Sequence, residues 1–358
     1  MKTPHYSKIH NRFQINGFHY SREQLWEVAY SFIKEGTPRE QTLGNFILDW
    51  IDHRPEITLR TSGTTGEPKE IRVQKQSMVH SALLTAEYLN LPVGTRALNC
   101  LPIDFIAGKM MFVRALILGW SLDLMDPVRN PLEDTSKDYD FSAFIPLQLE
   151  HSLTDIHRVK VLLVGGAPMS LALRNKAALA TSKIYETYGM TETLTHIALR
   201  RVSSENLPFQ TLPQVSIRQN EEGCLVVKAP LLHPEEIVTG DLVELVDQNR
   251  FEWKGRKDFI INSGGIKIQP ELVEKQIEPF IDLPFFVCGL PDESLGQKLV
   301  LVVEQTSALQ TDLEAKLEQI DFKAYHKPKS VIAVSEFVRT VSHKVNRKAT
   351  LAKVGLDL

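Results

Sequence analysis

Short apolar runs at Arg96–Leu101, Phe141–Ile145 and Val159–Val164 alternate with longer stretches, Ser77–Leu89 and Ser170–Ala180, in which apolar positions keep helical spacing. Brief apolar runs suit strands and the longer windows suit helices, so the alternation predicts layered α/β structure. The segment Ile106–Leu118 is helix-like and apolar apart from Lys109 and Arg114. From Val215 to Trp253 the pattern becomes one of short strands separated by the turn signals Asn-Glu-Glu-Gly, His-Pro and Asp-Gln-Asn, a small β region. Beyond Gly255, helix candidates Pro270–Phe280, Asp312–Ile320 and Asn346–Lys353 are interleaved with strands near Phe285–Gly289, Leu299–Val303 and Ser330–Val334. That last hundred or so residues reads as a compact α+β unit.

Composition narrows what such a chain can do. At 358 residues it has room for two or three domains, and 43% apolar with 24% charged residues is the mix of an ordinary globular protein. Lys and Arg number 41 against 44 Asp and Glu, a formal charge of −3, so no global basic field is available for nucleic acid or an anionic membrane. Any anionic ligand must be held by a few placed groups. The N-terminal MKTPHYSKIHNRFQ has no apolar core of a signal sequence, and the longest apolar stretch is broken by Arg114. The expectation is a cytoplasmic protein without membrane insertion. Cys100, Cys224 and Cys288 lie far apart and read as buried thiols.

The richest chemistry lies between the β-like runs Ile57–Arg60 and Ile71–Gln74. There Thr61-Ser62-Gly63-Thr64-Thr65-Gly66-Glu67-Pro68-Lys69 packs four hydroxyls, two glycines and a lysine into nine residues. Glycines let backbone N–H groups converge on an anion, hydroxyls donate to phosphate oxygens and the lysine adds a point charge. The segment is not a Walker A loop, because Pro68 separates Gly66 from Lys69 and a strand-like run follows.

Further short motifs follow in order: Tyr188-Gly189-Met190-Thr191-Glu192, Thr239-Gly240-Asp241, Gly255-Arg256-Lys257-Asp258, Ser263-Gly264-Gly265 with Pro270-Glu271 behind it, and Arg339-Thr340 with Lys344-Val345-Asn346-Arg347. With the hydroxyl-rich loop, this series resembles the adenylate-forming superfamily of acyl-CoA synthetases, aryl-CoA ligases, peptide-synthetase adenylation domains and luciferases. The resemblance implies an N-terminal AMP- and acyl-binding domain over 1–257 and a mobile C-terminal domain over 258–358. It implies ATP, Mg²⁺ and CoA as cosubstrates and cofactor, with a small carboxylic acid as the group activated.

By that resemblance the 61–69 loop would hold the β- and γ-phosphates and Glu192 would bind Mg²⁺. Tyr188 would face adenine with Gly165, Gly166 and Ala167, Asp241 would accept the ribose hydroxyls, and Arg256 would assist. Lys344 would bridge the carboxylate and the α-phosphate. Asp258 occupies the hinge position, and Ser263, Gly264 and Gly265 would line a pantetheine tunnel.

Three positions depart from the family pattern: Glu70 and His343 stand where it has glycines, and Phe105 stands where it has a histidine in Leu101-Pro102-Ile103-Asp104-Phe105-Ile106-Ala107-Gly108. The phosphate loop also begins early, so most of the family's N-terminal subdomain is expected to be missing. In this compact form the chain is most similar to the o-succinylbenzoate-CoA ligases of menaquinone biosynthesis. Their substrate is an aromatic dicarboxylate, so the acyl pocket needs a cationic or polar partner for the second carboxylate. Arg114, Lys109 and His196 are the candidates, beside Phe105. Another AMP-forming acyl- or aryl-CoA ligase, an adenylation enzyme loading a carrier protein, and a non-catalytic nucleotide binder are the alternatives. A homodimer is compatible with each of them.

Overall fold

The computed structural model describes residues 3–60, 70–305, 310–340 and 344–356. The chain begins with a small hairpin, β1 (Gln14–Ile15) and β2 (Phe18–His19), and two helices, α1 (Arg22–Glu35) and α2 (Pro38–Ile51). Each helix opens with a capping box, Ser21 with Gln24 and Thr37 with Glu40, which satisfies backbone N–H groups that have no partner inside a first turn. The hairpin β3 (Glu56–Arg60) and β4 (Glu70–Gln74) comes next, with Arg60 opposite Glu70, so its ladder clamps both ends of the hydroxyl-rich segment.

The central elements are α3 (Lys75–Leu89), β5 (Arg96–Asn99), α4 (Ile106–Leu118), β6 (Ser121–Leu124), β7 (Tyr139–Phe144), α5 (Pro146–His151), β8 (Val159–Val164), α6 (Leu171–Ala178) and β9 (Lys183–Gly189). An antiparallel run completes the sheet: β10 (His196–Arg201), β11 (Phe209–Thr211), β12 (Ser216–Gln219), β13 (Cys224–Lys228), β14 (Ile237–Leu245) and β15 (Arg250–Arg256). All join one thirteen-stranded sheet in the order β12-β13-β14-β15-β11-β10-β9-β8-β7-β5-β6-β1-β2. Strands β9, β8, β7, β5, β6 and β1 run parallel, and the direction changes where β10 pairs with β9. The predicted α/β fold class is observed. The β region from residue 215 is an antiparallel extension of the main sheet, a connection that turn signals could not reveal because β11 links it to β10.

A second sheet holds β16 (Ile261–Ser263), β17 (Ile266–Ile268), β18 (Phe285–Asp292), β19 (Gly296–Glu304) and β20 (Ser330–Val334), accompanied by α7 (Pro270–Ile277), α8 (Gln310–Glu318) and α9 (Arg347–Ala352). The core formed around β18 and β19 draws on residues from Ile261 onward, whereas the core of the large sheet draws on residues up to Phe251. All three cysteines are free and buried. Among the described residues no helix is long and apolar enough to cross a membrane.

Candidate active site

Ligand sites in open α/β sheets form at the carboxyl ends of strands where the topology switches. Here that place is the end of β8 and β9, next to the change of direction at β10. Gly165 follows β8, and a Cβ there would come within 2.2 Å of the Thr187 hydroxyl, so only glycine lets the two chains approach. Gly166 turns the backbone with φ +84°, and Ala167 completes the turn half-buried. Gly189 is equally constrained, because its Cβ would lie 2.2 Å from the Thr195 carbonyl oxygen.

After Gly189 the chain makes a single helical turn, Thr191–Thr193, that leaves Glu192 exposed. The Thr193 hydroxyl accepts from Met190 N–H at 3.0 Å, and Leu194 leaves the turn at φ +67°. A left-handed leucine is strained, and it is held here by complete burial of its side chain. Among the described residues no group of three or more metal-ligating side chains occurs, so a cation at Glu192 would take one carboxylate and find its other ligands on phosphate and water. That donor set suits Mg²⁺.

Tyr188 packs its ring against Phe251 and Phe209, with centroids at 5.1 and 5.8 Å, and its hydroxyl donates to Asp241 Oδ2 at 2.6 Å. Burial, with the Asp241 charge second, pushes the phenol well above its ordinary range, so it stays a donor. Asp241 is buried on β14, receives the Trp253 indole N–H on Oδ1 at 3.0 Å, and lies 3.6 Å from an Arg256 nitrogen. Arg256 also pairs with Asp258 at 2.7 Å.

This cluster depends on an irregularity in β15. Val243 is opposite Trp253, yet Leu242 is opposite Gly255 and Asp241 opposite Arg256, so Lys254 is one residue too many. Side chains three apart on a regular strand point to opposite faces. The bulge returns Arg256 to the face that carries Trp253 and Asp241. Trp253 is the Asp241 partner that motif reasoning missed, and a signal was available: an isolated glycine inside a strand pattern, Gly255, marks a bulge.

Gly255 has φ +148°, and a Cβ on it would meet Glu271 Oε2 at 2.4 Å. Glu271 is buried on α7 with Oε2 unpartnered. Burial, then the neighbouring Glu274, pushes its carboxyl from 4.5 up to about 7; Arg347 and the backbone N–H groups of Glu271 and Arg256 pull the other way. A carboxyl raised in the folded state holds more protons than in the unfolded chain, so stability falls as pH rises from 4.5 to about 7. Glu271→Gln should therefore melt with the native protein near pH 5 and become more stable than it by about 3 kcal/mol at pH 8. Melting curves that stay parallel across this range would show that Glu271 does not titrate there.

A second buried polar group lies beneath the Glu192 turn. His196 begins β10 opposite Gly189 and is 5% exposed. Its Nε2 lies 3.1 Å from Thr85 Oγ1 on α3, and Thr85 has already committed its hydroxyl proton to the Ser81 carbonyl at 2.9 Å. The imidazole must then donate through Nε2–H, leaving Nδ1 as acceptor. Burial, with the Arg114 charge second, drives its pKa well down, so the ring is neutral. Arg114 on α4 is 2% exposed, and its Nε and Nη2 have no partner; Nη1 lies 3.9 Å from the Met111 sulfur. Burial lowers this guanidinium to about 9, so it remains charged at neutral pH.

The remaining candidates are placed as follows. Phe105 caps α4 half-buried, and the Lys109 ammonium is held by the carbonyls of Ile103 and Asp104 at 2.6 and 3.0 Å. Ser263 ends β16, and Gly264 and Gly265, with φ +57° and +83°, form the two-residue turn into β17. Such a turn requires positive φ at both positions. Lys344 lies close enough to Arg256 for that charge to depress its ammonium after burial, while Asp241 acts oppositely. Thr340 holds the Lys344 backbone at both ends, its N–H on the Lys344 carbonyl at 2.8 Å and its hydroxyl accepting the Lys344 N–H at 3.2 Å. Thr61, Ser62, Gly63, Thr64, Thr65, Gly66, Lys69 and His343 lie outside the described residues.

The family described as AMP-binding enzyme matches residues 57–226. Among curated proteins, the 2-succinylbenzoate–CoA ligase of Listeria monocytogenes is 24% identical over 353 residues, spanning 89% of this chain and 74% of that protein. The protein of the same description from Oceanobacillus iheyensis is 27% identical over 327 residues, spanning 80% and 67%. Among solved structures, an acyl-CoA synthetase (AMP-forming)/AMP-acid ligase II-like protein from Dyadobacter fermentans is 35% identical with TM-score 0.60, covering 89% of this chain and 95% of that one. The o-succinylbenzoate coenzyme A synthetase of Bacillus subtilis, in complex with ATP and magnesium ion, superposes with TM-score 0.67 at 20% identity, over 82% of this chain and 69% of that one.

Proposed function

The chain belongs to the adenylate-forming family of AMP-binding enzymes, which includes the AMP-forming acid–CoA ligases, and from that premise we propose that it converts o-succinylbenzoate, ATP and CoA to o-succinylbenzoyl-CoA, AMP and pyrophosphate. The observation that carries the choice of acid is the Arg114 guanidinium, charged, buried and, among the described residues, without an acidic partner. A buried charge with no counter-ion is costly, and a substrate carboxylate supplies the missing partner. The neutral His196, close enough to feel the Arg114 charge, adds no second cation, so Arg114 is matched to one distal carboxylate. The names of the curated relatives support the same acid.

In this reading residues 258–358 form the C-terminal domain that brings Lys344 to the nucleotide. Asp241 accepts the ribose hydroxyls, Tyr188 offers its ring to adenine beside Gly165, Gly166 and Ala167, and Met190 and Thr191 shape the approach to Glu192. Mg²⁺ held by Glu192 would neutralise phosphate charge. Residues 61–69 hold the leaving pyrophosphate. Lys344, its ammonium made easier to deprotonate by burial and by Arg256, stabilises charge on the α-phosphate as the substrate carboxylate attacks in line and pyrophosphate leaves. Asp258 serves as hinge, and the tight Ser263–Gly265 turn lines the thiol path when the C-terminal domain turns.

A panel of acids with ATP, Mg²⁺ and CoA, read as pyrophosphate and thioester, tests the assignment. o-Succinylbenzoate should be used with kcat/KM about 10²-fold above benzoate, since a buried site built to bind a polar group rejects the analogue lacking it. A panel in which a monocarboxylate is preferred, or in which the adenylate passes only to a carrier protein, overturns it.

A further inference from the structure

We propose that Trp253 is a positioning residue of the nucleotide site: its indole N–H fixes the Asp241 carboxylate in the orientation that leaves acceptor capacity for the ribose. The inference rests on the reading that Asp241 binds ribose, and it assigns the control of that carboxylate to a residue outside the motifs. Asp241 carries two protein donors, one on each oxygen: the Tyr188 hydroxyl on Oδ2 at 2.6 Å and the Trp253 N–H on Oδ1 at 3.0 Å. An ionised carboxylate has about four lone-pair sites, so two donors orient it without filling it.

The competitor is Arg256, whose Nη1 stands 3.6 Å from the same Oδ1. The terminal torsion of an aspartate is soft, so one donor alone does not fix the carboxylate plane. With the indole N–H removed, Oδ1 is free to close on the guanidinium, and the acceptor meant for the ribose becomes half of an ion pair. The bulge at Lys254 is what allows one strand to supply both the positioning donor and the competing cation. Trp253 is half-buried and sits on the same strand face as Phe251, which supports the Tyr188 ring.

The experiment measures dissociation constants of the full chain for ATP and for 2′-deoxyATP by calorimetry, in the native protein, Trp253→Phe and Trp253→Leu. Both variants keep an apolar side chain and carry no donor toward Asp241, so either one can serve if the other does not fold. The native protein should prefer ATP by about tenfold, the usual scale of a hydrogen bond to a charged acceptor. The variants should bind ATP about tenfold more weakly and 2′-deoxyATP within about twofold of native, so that the preference for the 2′-hydroxyl disappears. A merely structural tryptophan would weaken both nucleotides equally, and that result, an unchanged preference, or a native protein indifferent to the 2′-hydroxyl overturns the proposal. Inorganic tripolyphosphate is the control for the underlying reading: binding to the native protein as tight as that of ATP would refute an adenosine site, whatever the variants do.

Discussion

Lys344→Ala is expected to slow formation of the acyl-adenylate by about two to three powers of ten, while conversion of a pre-made adenylate and CoA to thioester stays within about threefold of the native rate. The scale is that of removing one preorganised positive group from a site where charge builds only in the transition state. Lys344 has the requisite setting: burial and the nearby Arg256 make its ammonium easier to deprotonate, and Asp241 acts in the opposite direction. Its backbone is bonded to Thr340 through its own N–H and carbonyl, so the truncation removes the amine and leaves those bonds in place. The two half-reactions are separable by adding the adenylate directly and following free thiol. Equal loss in both would mean that Lys344 supports the structure or a shared binding step, and the division of labour between the two positions of the C-terminal domain would fall.

The second large effect is a trade between stability and selectivity at Arg114. Arg114→Met keeps an unbranched side chain of similar reach and deletes a buried charge whose Nε and Nη2 have no partner. Thermal or urea unfolding should show a gain of roughly 1–4 kcal/mol, the range found when buried ionic groups are replaced by apolar ones. Activity should move the other way. kcat/KM for o-succinylbenzoate should fall about 10²-fold and that for benzoate should hold or rise, because the distal carboxylate loses the buried guanidinium proposed to pair with it. The neutral His196 also gains freedom to protonate once the Arg114 charge is gone, so residual o-succinylbenzoate activity should shift toward lower pH. A variant that is destabilised and equally active on both acids would place Arg114 among ordinary structural residues.

Much of this site is readable from residues alone, for identifiable reasons. Tyr188, Asp241 and Arg256 belong to short motifs, and the structure brings Tyr188 and Arg256 to the Asp241 carboxylate. The strands Val159–Val164 and Ser330–Val334 and the helix Ile106–Leu118 are observed at the bounds that their apolar patterns mark. Arg114 could be singled out because a cation on an apolar helix needs a reason. Trp253 could not be found by motif, since its partner Asp241 is reached through sheet register rather than neighbouring sequence, and a bulge reverses the face that alternation assigns to Arg256. The tautomer of His196 was equally hidden: it follows from which way the Thr85 hydroxyl donates, and α3 and β10 are more than a hundred residues apart. The role of the Gly264–Gly265 pair as a turn also required coordinates, because either a tunnel wall or a hairpin calls for small residues.

The bulge at Lys254 finally bears on how this chain tolerates insertions and deletions. Deleting one residue there would leave β15 regular, continuous and well paired with β14, so the fold itself should survive. It would also keep Arg256 opposite Asp241, because Arg256 would then follow Trp253 by two residues, the spacing that puts both on one face without a bulge. Alignments of related chains should therefore place a one-residue gap in this strand at Lys254, where it leaves the pairing on both sides unchanged.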